Sequence, residues 1–197
     1  MNQEQPKPDP RTGFRNFVSI FVFLARTFAV SVEVFLHRSE TFGDRYLELQ
    51  AAAALLLMFF WPAFCEPVHD PEPMLVFLGL YILACLAVRI EVFRRIRRGG
   101  PQPHSRYTGT PALMKFMRRT SEIKVKCAVE PLLTFALGGA LLAASPPLGG
   151  YLMLASAGLL ISTNLTANQE RQRVRDMNDA YMEQRHVVDR FRDLRGD

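Results

Sequence analysis

Between Arg94 and Lys126 the chain carries ten Lys/Arg and one acid, Glu122, and this cation-rich segment separates two stretches too apolar for an ordinary soluble domain. Apolar runs approaching the ~20 residues that cross a ~30 Å hydrocarbon core mark a polytopic membrane protein. Short loops rich in Lys and Arg stay on the cytoplasmic side of a bilayer. The segment therefore orients everything around it.

The expected fold is all-α: a polytopic membrane protein with two antiparallel transmembrane hairpins, an amphipathic N-terminal helix and a charged cytoplasmic C-terminal helix. The first hairpin covers residues 46–93. Tyr46 opens a span reading YLELQAAAALLLMFFWPAF, with Trp61 at the far interface and Pro62 ending the helix. The next loop, CEPVHDPEP, has three acids and no Lys or Arg, as a non-cytoplasmic loop should. A second span runs from about Met74 to Phe93 and exits into Arg94, Arg95, Arg97 and Arg98. Residues 94–127 form the basic cytoplasmic loop.

The second hairpin covers residues 128–166. Pro131 is tolerated in the first turn of its first span, SPPLGG makes the outside turn, and YLMLASAGLLISTNLTA returns to the cytoplasm. Ala136, Ala140 and Ala144 fall at four-residue intervals, with Gly139 and Ala143 on an adjacent row. Small residues on one face let helix backbones approach, so this face is expected to pack on a neighbour in the same chain or in a second subunit. Both spans are short, near the ~17-residue limit, and need flanking residues such as Ile123 to Lys126 or a locally thinned bilayer.

Residues 1–13 contain three prolines among polar side chains and no apolar core of a signal peptide, so they read as a flexible tail. Residues 14–42 form an interfacial unit built on a helix from Phe14 to Leu36. Steps of 100° put Arg15, Ser19, Arg26, Glu33 and His37 on one narrow face, opposite Phe17, Phe21, Leu24, Phe28, Val32 and Phe35. Such a stripe suits a helix lying on the membrane with its charges toward water. The alternative is a fifth span, with Arg26 and Glu33 turned toward other helices.

The net charge of +5 is not a nucleic-acid signal, because most of the excess lies in the central loop. Cations beside a membrane attract anionic headgroups by roughly 1 kcal/mol each. Arg94, Arg95, Arg97, Arg98, Arg106, Lys115, Arg118 and Arg119 are the candidate lipid contacts, with Leu113, Phe116, Met117 and Ile123 resting on the interface. Residues 167–197 carry seven Arg against seven Asp/Glu, with no proline and no glycine before Gly196, and read as one helix. Val174, Met177, Tyr181, Gln184, Val188 and Phe191 follow alternating steps of three and four, the a/d pattern of a seam about three heptads long. This seam is the expected partner-binding surface, for other subunits or for copies of itself.

Reaction chemistry is weakly encoded. Cys65, Cys85 and Cys127 lack paired spacing, so neither a disulfide framework nor a zinc site follows. Cys65, Glu66, His69, Asp70 and Glu72 crowd one loop, but acids are what that side of the membrane prefers, and no metal or other cofactor is expected. His104, Ser105, Arg106, Tyr107, Thr108, Gly109 and Thr110 could meet a phosphate or headgroup; the simpler reading is a turn in which Gly109 permits a tight bend. Glu48, Arg89, Glu91 and Glu130 lie near cytoplasmic span ends, where their side chains are expected to reach water. No catalytic constellation emerges, and no nucleic acid is an expected partner. The expectation is a non-enzymatic subunit or scaffold in a membrane, placed in a bacterial inner membrane with loop and C-terminus cytoplasmic. An oligomeric channel or pore-forming effector, and a lipid-modifying enzyme using His104 to Thr110, are the alternatives.

Overall fold

Apolar residues at helical spacing, interrupted by Pro and Gly, predict a series of helices, and the described residues are helical in this way. A computed structural model describes residues 10–43, 46–65, 70–99, 107–117 and 119–196. These are all-helical, with one isolated backbone bridge, His37 to Pro111. Among the described residues, four helices are long and apolar enough to cross a membrane: Gly13–Leu36, Glu72–Arg97, Glu122–Leu142 and Pro146–Arg195.

Helix α1 spans Pro10–Leu36. Its side chains from Gly13 to Phe21 are all exposed, whereas Ala25, Thr27 and the run from Ala29 to Val34 are buried. Thr27 and Ser31 survive there because their hydroxyls donate to the Phe23 and Phe28 carbonyls of the same helix, at 2.9 and 2.7 Å. The polar stripe expected to face water divides in the same way. Arg15 and Ser19 are exposed, but Glu33 and His37 are turned into the protein.

Helix α2, Leu49–Phe60, is shorter than the span expected there. It passes into a 3-10 turn, Trp61–Phe64, because Pro62 has no N–H to continue the α-helical ladder. Helix α3, Glu72–Arg97, starts where Asp70 accepts the Glu72 N–H at 2.9 Å. It stops at Gly99, whose φ of 63° lets its N–H turn back to the Ile96 carbonyl. After Pro111 a 3-10 turn at Ala112–Lys115 precedes the short α4, Glu122–Lys124. A π-helical turn, Val125–Val129, then leads into α5, Glu130–Leu142. The Glu130 N–H bonds the Val125 carbonyl five residues back, just ahead of Pro131, which has no N–H to offer. Helix α6 covers Pro146–Arg195.

Residues up to Ser162 form one unit, and Thr163–Asp197 a second. The core of the first joins Val30, Val34, Phe42 and Tyr46 to Met58, Met74, Tyr81 and Tyr151. Trp61, expected at the interface, is half-buried: its ring stands edge-on to Phe28 and Tyr151, and its Nε1 donates to the Pro147 carbonyl at 2.9 Å.

The small-residue face lies open in this chain. Ala136, Gly139, Ala140, Ala143 and Ala144 are all exposed. Close approach occurs one position round the helix, where Gly138 meets Gly149. A Cβ at Gly149 would lie 2.6 Å from the Leu142 nitrogen, and one at Gly158 would lie 2.6 Å from the Ala25 carbonyl oxygen. Backbone atoms cannot retreat as a flexible side chain can. Gly149→Ala and Gly158→Ala should each lower the free energy of unfolding by about 1–3 kcal/mol, measured by denaturation in detergent. Gly139→Ala, with nothing within 4 Å of its new methyl, should stay within about 0.5 kcal/mol of the parent.

Candidate functional site

His37 is the first residue after α1, and the chain there leaves the helix in extended form to pair with Pro111. Both of its ring nitrogens are engaged. Nδ1 lies 2.6 Å from the Thr108 carbonyl oxygen, and Nε2 lies 3.0 Å from Glu130 Oε2. Both side chains of the pair are fully enclosed. A carbonyl oxygen only accepts, so Nδ1 must carry a hydrogen. One proton then remains for the gap between Nε2 and Oε2. The pair is either imidazolium with carboxylate or neutral imidazole with carboxylic acid, and the two forms differ by a shift of that proton along one hydrogen bond. Glu130 Oε1 is buried with no hydrogen-bond partner.

This pair overturns the expectation that Glu130 reaches water from a span end. The π-helical turn and Pro131 set the position of Glu130 on α5, and its backbone is secured around it. Thr134 Oγ1 donates to the Glu130 carbonyl at 2.8 Å, and Ser156 Oγ to the Pro131 carbonyl at 2.8 Å. One turn before His37 on α1, Glu33 accepts the Tyr46 hydroxyl in a second buried contact. The Phe42 ring lies between the pairs, 6.0 Å from His37 and 4.9 Å from Tyr46 by centroids.

The segment Tyr107–Pro111 closes this end of the first unit. Gly109 has φ of 87°, and a Cβ there would press on Thr41 Oγ1 at 3.1 Å and His37 Cβ at 3.3 Å. The Thr110 N–H donates to Thr41 Oγ1, the Arg38 N–H to the Thr110 carbonyl and the Gly43 N–H to the Tyr107 carbonyl. Lys126 lies over the Tyr107 ring, pairs with Glu122 at 2.7 Å and reaches Thr108 Oγ1 at 3.1 Å. Tyr107 donates to the same Glu122 carboxylate at 2.6 Å. The turn expected at Gly109 is therefore present, and its backbone holds the histidine. His104, Ser105 and Arg106 lie outside the described residues.

The other predicted residues divide by environment. Arg95 bridges the Glu40 and Phe42 carbonyls, at 2.6 and 2.8 Å, and so braces the turn after α1. Arg94, Arg97, Arg98, Lys115 and Arg119 are exposed, Arg94 beside Glu91 at 3.7 Å and Arg97 over the Phe93 ring; Arg118 lies outside the described residues. Phe116 and Ile123 are exposed, and Leu113 and Met117 half-buried. Arg89 donates to the Leu47 carbonyl at 2.7 Å. Of the loop cluster, Cys65 is half-buried and Asp70 and Glu72 are exposed, while Glu66 and His69 lie outside the described residues. In the second unit, Val174, Met177, Tyr181, Val188 and Phe191 are between 50% and 73% exposed.

Comparison with protein-family models, with curated proteins and with solved structures finds no match to this chain.

The His37–Glu130 pair was hidden from sequence reasoning by the 93 residues between its members. The available signals were Glu33 and His37 one turn apart on α1 and an acid immediately before Pro131. Breaking the pair leaves a buried acid uncompensated. His37→Ala should cost about 3–5 kcal/mol of stability, and Glu130→Gln added to that variant should recover part of the loss by removing the charge. Unfolding of both variants in one detergent checks the order.

Proposed function

We propose that this chain is a non-enzymatic integral membrane subunit or scaffold, anchored by its first unit and assembled through residues 163–197. The observation that carries the reading is the exposed seam from Val174 to Phe191 on a helix that has no other element in its unit to cover it. A contiguous apolar stripe on a soluble helix marks a partner surface.

The anchoring half rests on the four apolar helices and on large side chains left exposed around them, among them Leu75, Leu83, Leu132 and Leu137. Leucines in that number facing outward suit hydrocarbon better than water. The ten cations between Arg94 and Lys126 support a cytoplasmic position for the loop and the C-terminal helix, and we take the membrane to be a bacterial inner membrane. The burial of Glu33 and His37 favours the fifth-span alternative for α1, with these groups turned toward other helices. The two hairpins, 46–93 and 128–166, then insert from the cytoplasmic side.

At the cytoplasmic surface the exposed cations are lipid contacts, and Arg95, tied to two backbone carbonyls, is a structural residue. Replacing Arg94, Arg97, Arg98, Lys115 and Arg119 with Gln should weaken retention of anionic lipid by about 1 kcal/mol per charge, with less effect at high salt. Native mass spectrometry of the protein with bound lipids reads the result; unchanged lipid retention would remove this part of the proposal. The assembly reading is tested by the mass of the complex extracted in nanodiscs. Changing Val174, Tyr181, Val188 and Phe191 together to Glu should reduce that mass, and an unchanged complex would count against the seam.

A further inference from the structure

We infer that the occupant of the exposed seam is a second copy of this chain, paired in parallel and in register. The inference rests on the assembly reading above and adds the identity and direction of the partner.

With Val174, Tyr181 and Val188 at a, and Met177, Gln184 and Phe191 at d, the e positions are Arg171, Asn178, Arg185 and Arg192. The g positions are Arg173, Ala180, Val187 and Leu194. In a two-stranded parallel coil, e faces g of the partner. Arg185 and Arg192 then lie beside Ala180 and Val187 of the other copy, where their aliphatic stems cover apolar surface and no like charges meet. An antiparallel pair would instead set e against e, opposing one row of arginines to the same row on the partner. The segment is charge-neutral, with seven Arg against seven acids in residues 167–197, so two copies have no net repulsion. One flank thus disfavours antiparallel self-pairing, and from Val174 to Phe191 no like charges oppose the parallel pair. The one like-charge pair on the seam is Arg195, at the next a position, in the last turn of the helix, where its long side chain can swing to water.

A second observation agrees. The surface of this helix carries an open groove lined by Val187, Val188, Phe191, Arg192 and Arg195. Val188, Phe191, Arg192 and Arg195 occupy a, d, e and the next a. These four ring the hole that receives a partner's d side chain in parallel packing, and in register that side chain is Phe191. Phe191 is 71% exposed and Val188 50%, so both knob and hole are uncovered.

Parallel pairing is also the arrangement that a membrane favours. Copies inserted the same way deliver their C-terminal helices to the same face, and spans confined to one bilayer raise the effective concentration of the helices. A seam of three heptads with Gln184 at one core position is marginal between free peptides. Tethering makes up the deficit.

The test uses the full chain with Cys65, Cys85 and Cys127 replaced by Ser, reconstituted in lipid vesicles and oxidised mildly. Val188→Cys should form a disulfide between copies at the same position. A mixture of Val174→Cys and Phe191→Cys chains, which antiparallel packing would bring together, should give about tenfold less product, equivalent to about 1.4 kcal/mol. Each variant is compared by nanodisc mass with the parent chain from its native membrane, so a misfolded protein is recognised by loss of that complex. Dominant 188–188 product in a homo-oligomer supports the inference. Dominant 174–191 product overturns the direction while leaving assembly intact. No disulfide in a complex containing a different protein overturns the second copy but retains the subunit reading, whereas a monomeric parent chain removes both.

Discussion

The first unit depends on the double engagement of one histidine. His37 leaves α1 with Nδ1 committed to a carbonyl on the Tyr107–Pro111 segment and Nε2 committed to Glu130 on α5. Three parts of the chain, far apart in sequence, are tied at a point with no exposed surface. Enclosure makes each bond directional and expensive to break, because an abandoned partner has no water to turn to. The imidazole is the side chain suited to this role, having two polar atoms on opposite sides of a rigid ring. The shared proton also lets the pair remain bonded in either of its two charge distributions.

Around this joint, the packing relies on close backbone contact and on hydrogen bonds between helices. Where lipid replaces water, burying leucine against leucine gains little, and helix association depends on close contact and hydrogen bonding. The first unit has both. Gly138, Gly149 and Gly158 bring backbones to separations that exclude a Cβ, and Ser156, Trp61 and Tyr81 donate across helices to backbone carbonyls. Leucines and phenylalanines are left on the outside, on helices four of which are long and apolar enough to cross a membrane. The same logic explains how Thr27 and Ser31 sit in the core: each returns its hydroxyl hydrogen to its own helix.

The two units therefore solve opposite problems. In the first, polar groups are buried and must find partners within the fold. In the second, apolar groups at heptad spacing are exposed on a charged helix. The cation-rich segment between the apolar blocks divides as well, with Lys126 and Arg95 turned onto the fold of the first unit and Arg94, Arg97 and Arg98 left at the surface.

The chain's pattern alone determined the helical class, the long apolar segments, the glycine-dependent turn at Gly109 and the heptad stripe of the terminal helix. Each follows from a local periodicity or from the steric freedom of one residue, and needs no knowledge of neighbours. Tertiary structure decided which polar residues face inward. Glu130 reads as a solvated acid at a span end until α1 delivers His37, and the stripe from Arg15 to His37 reads as one wet face until its second half meets the core. It also decided that Gly138 makes the close contact inside the chain while the row of Ala136, Ala140 and Ala144 stays exposed, because a helix carries small residues on two adjacent rows and only the position of a neighbour selects between them. Spacing reports which residues share a face; what that face meets is set by parts of the chain up to 93 residues away.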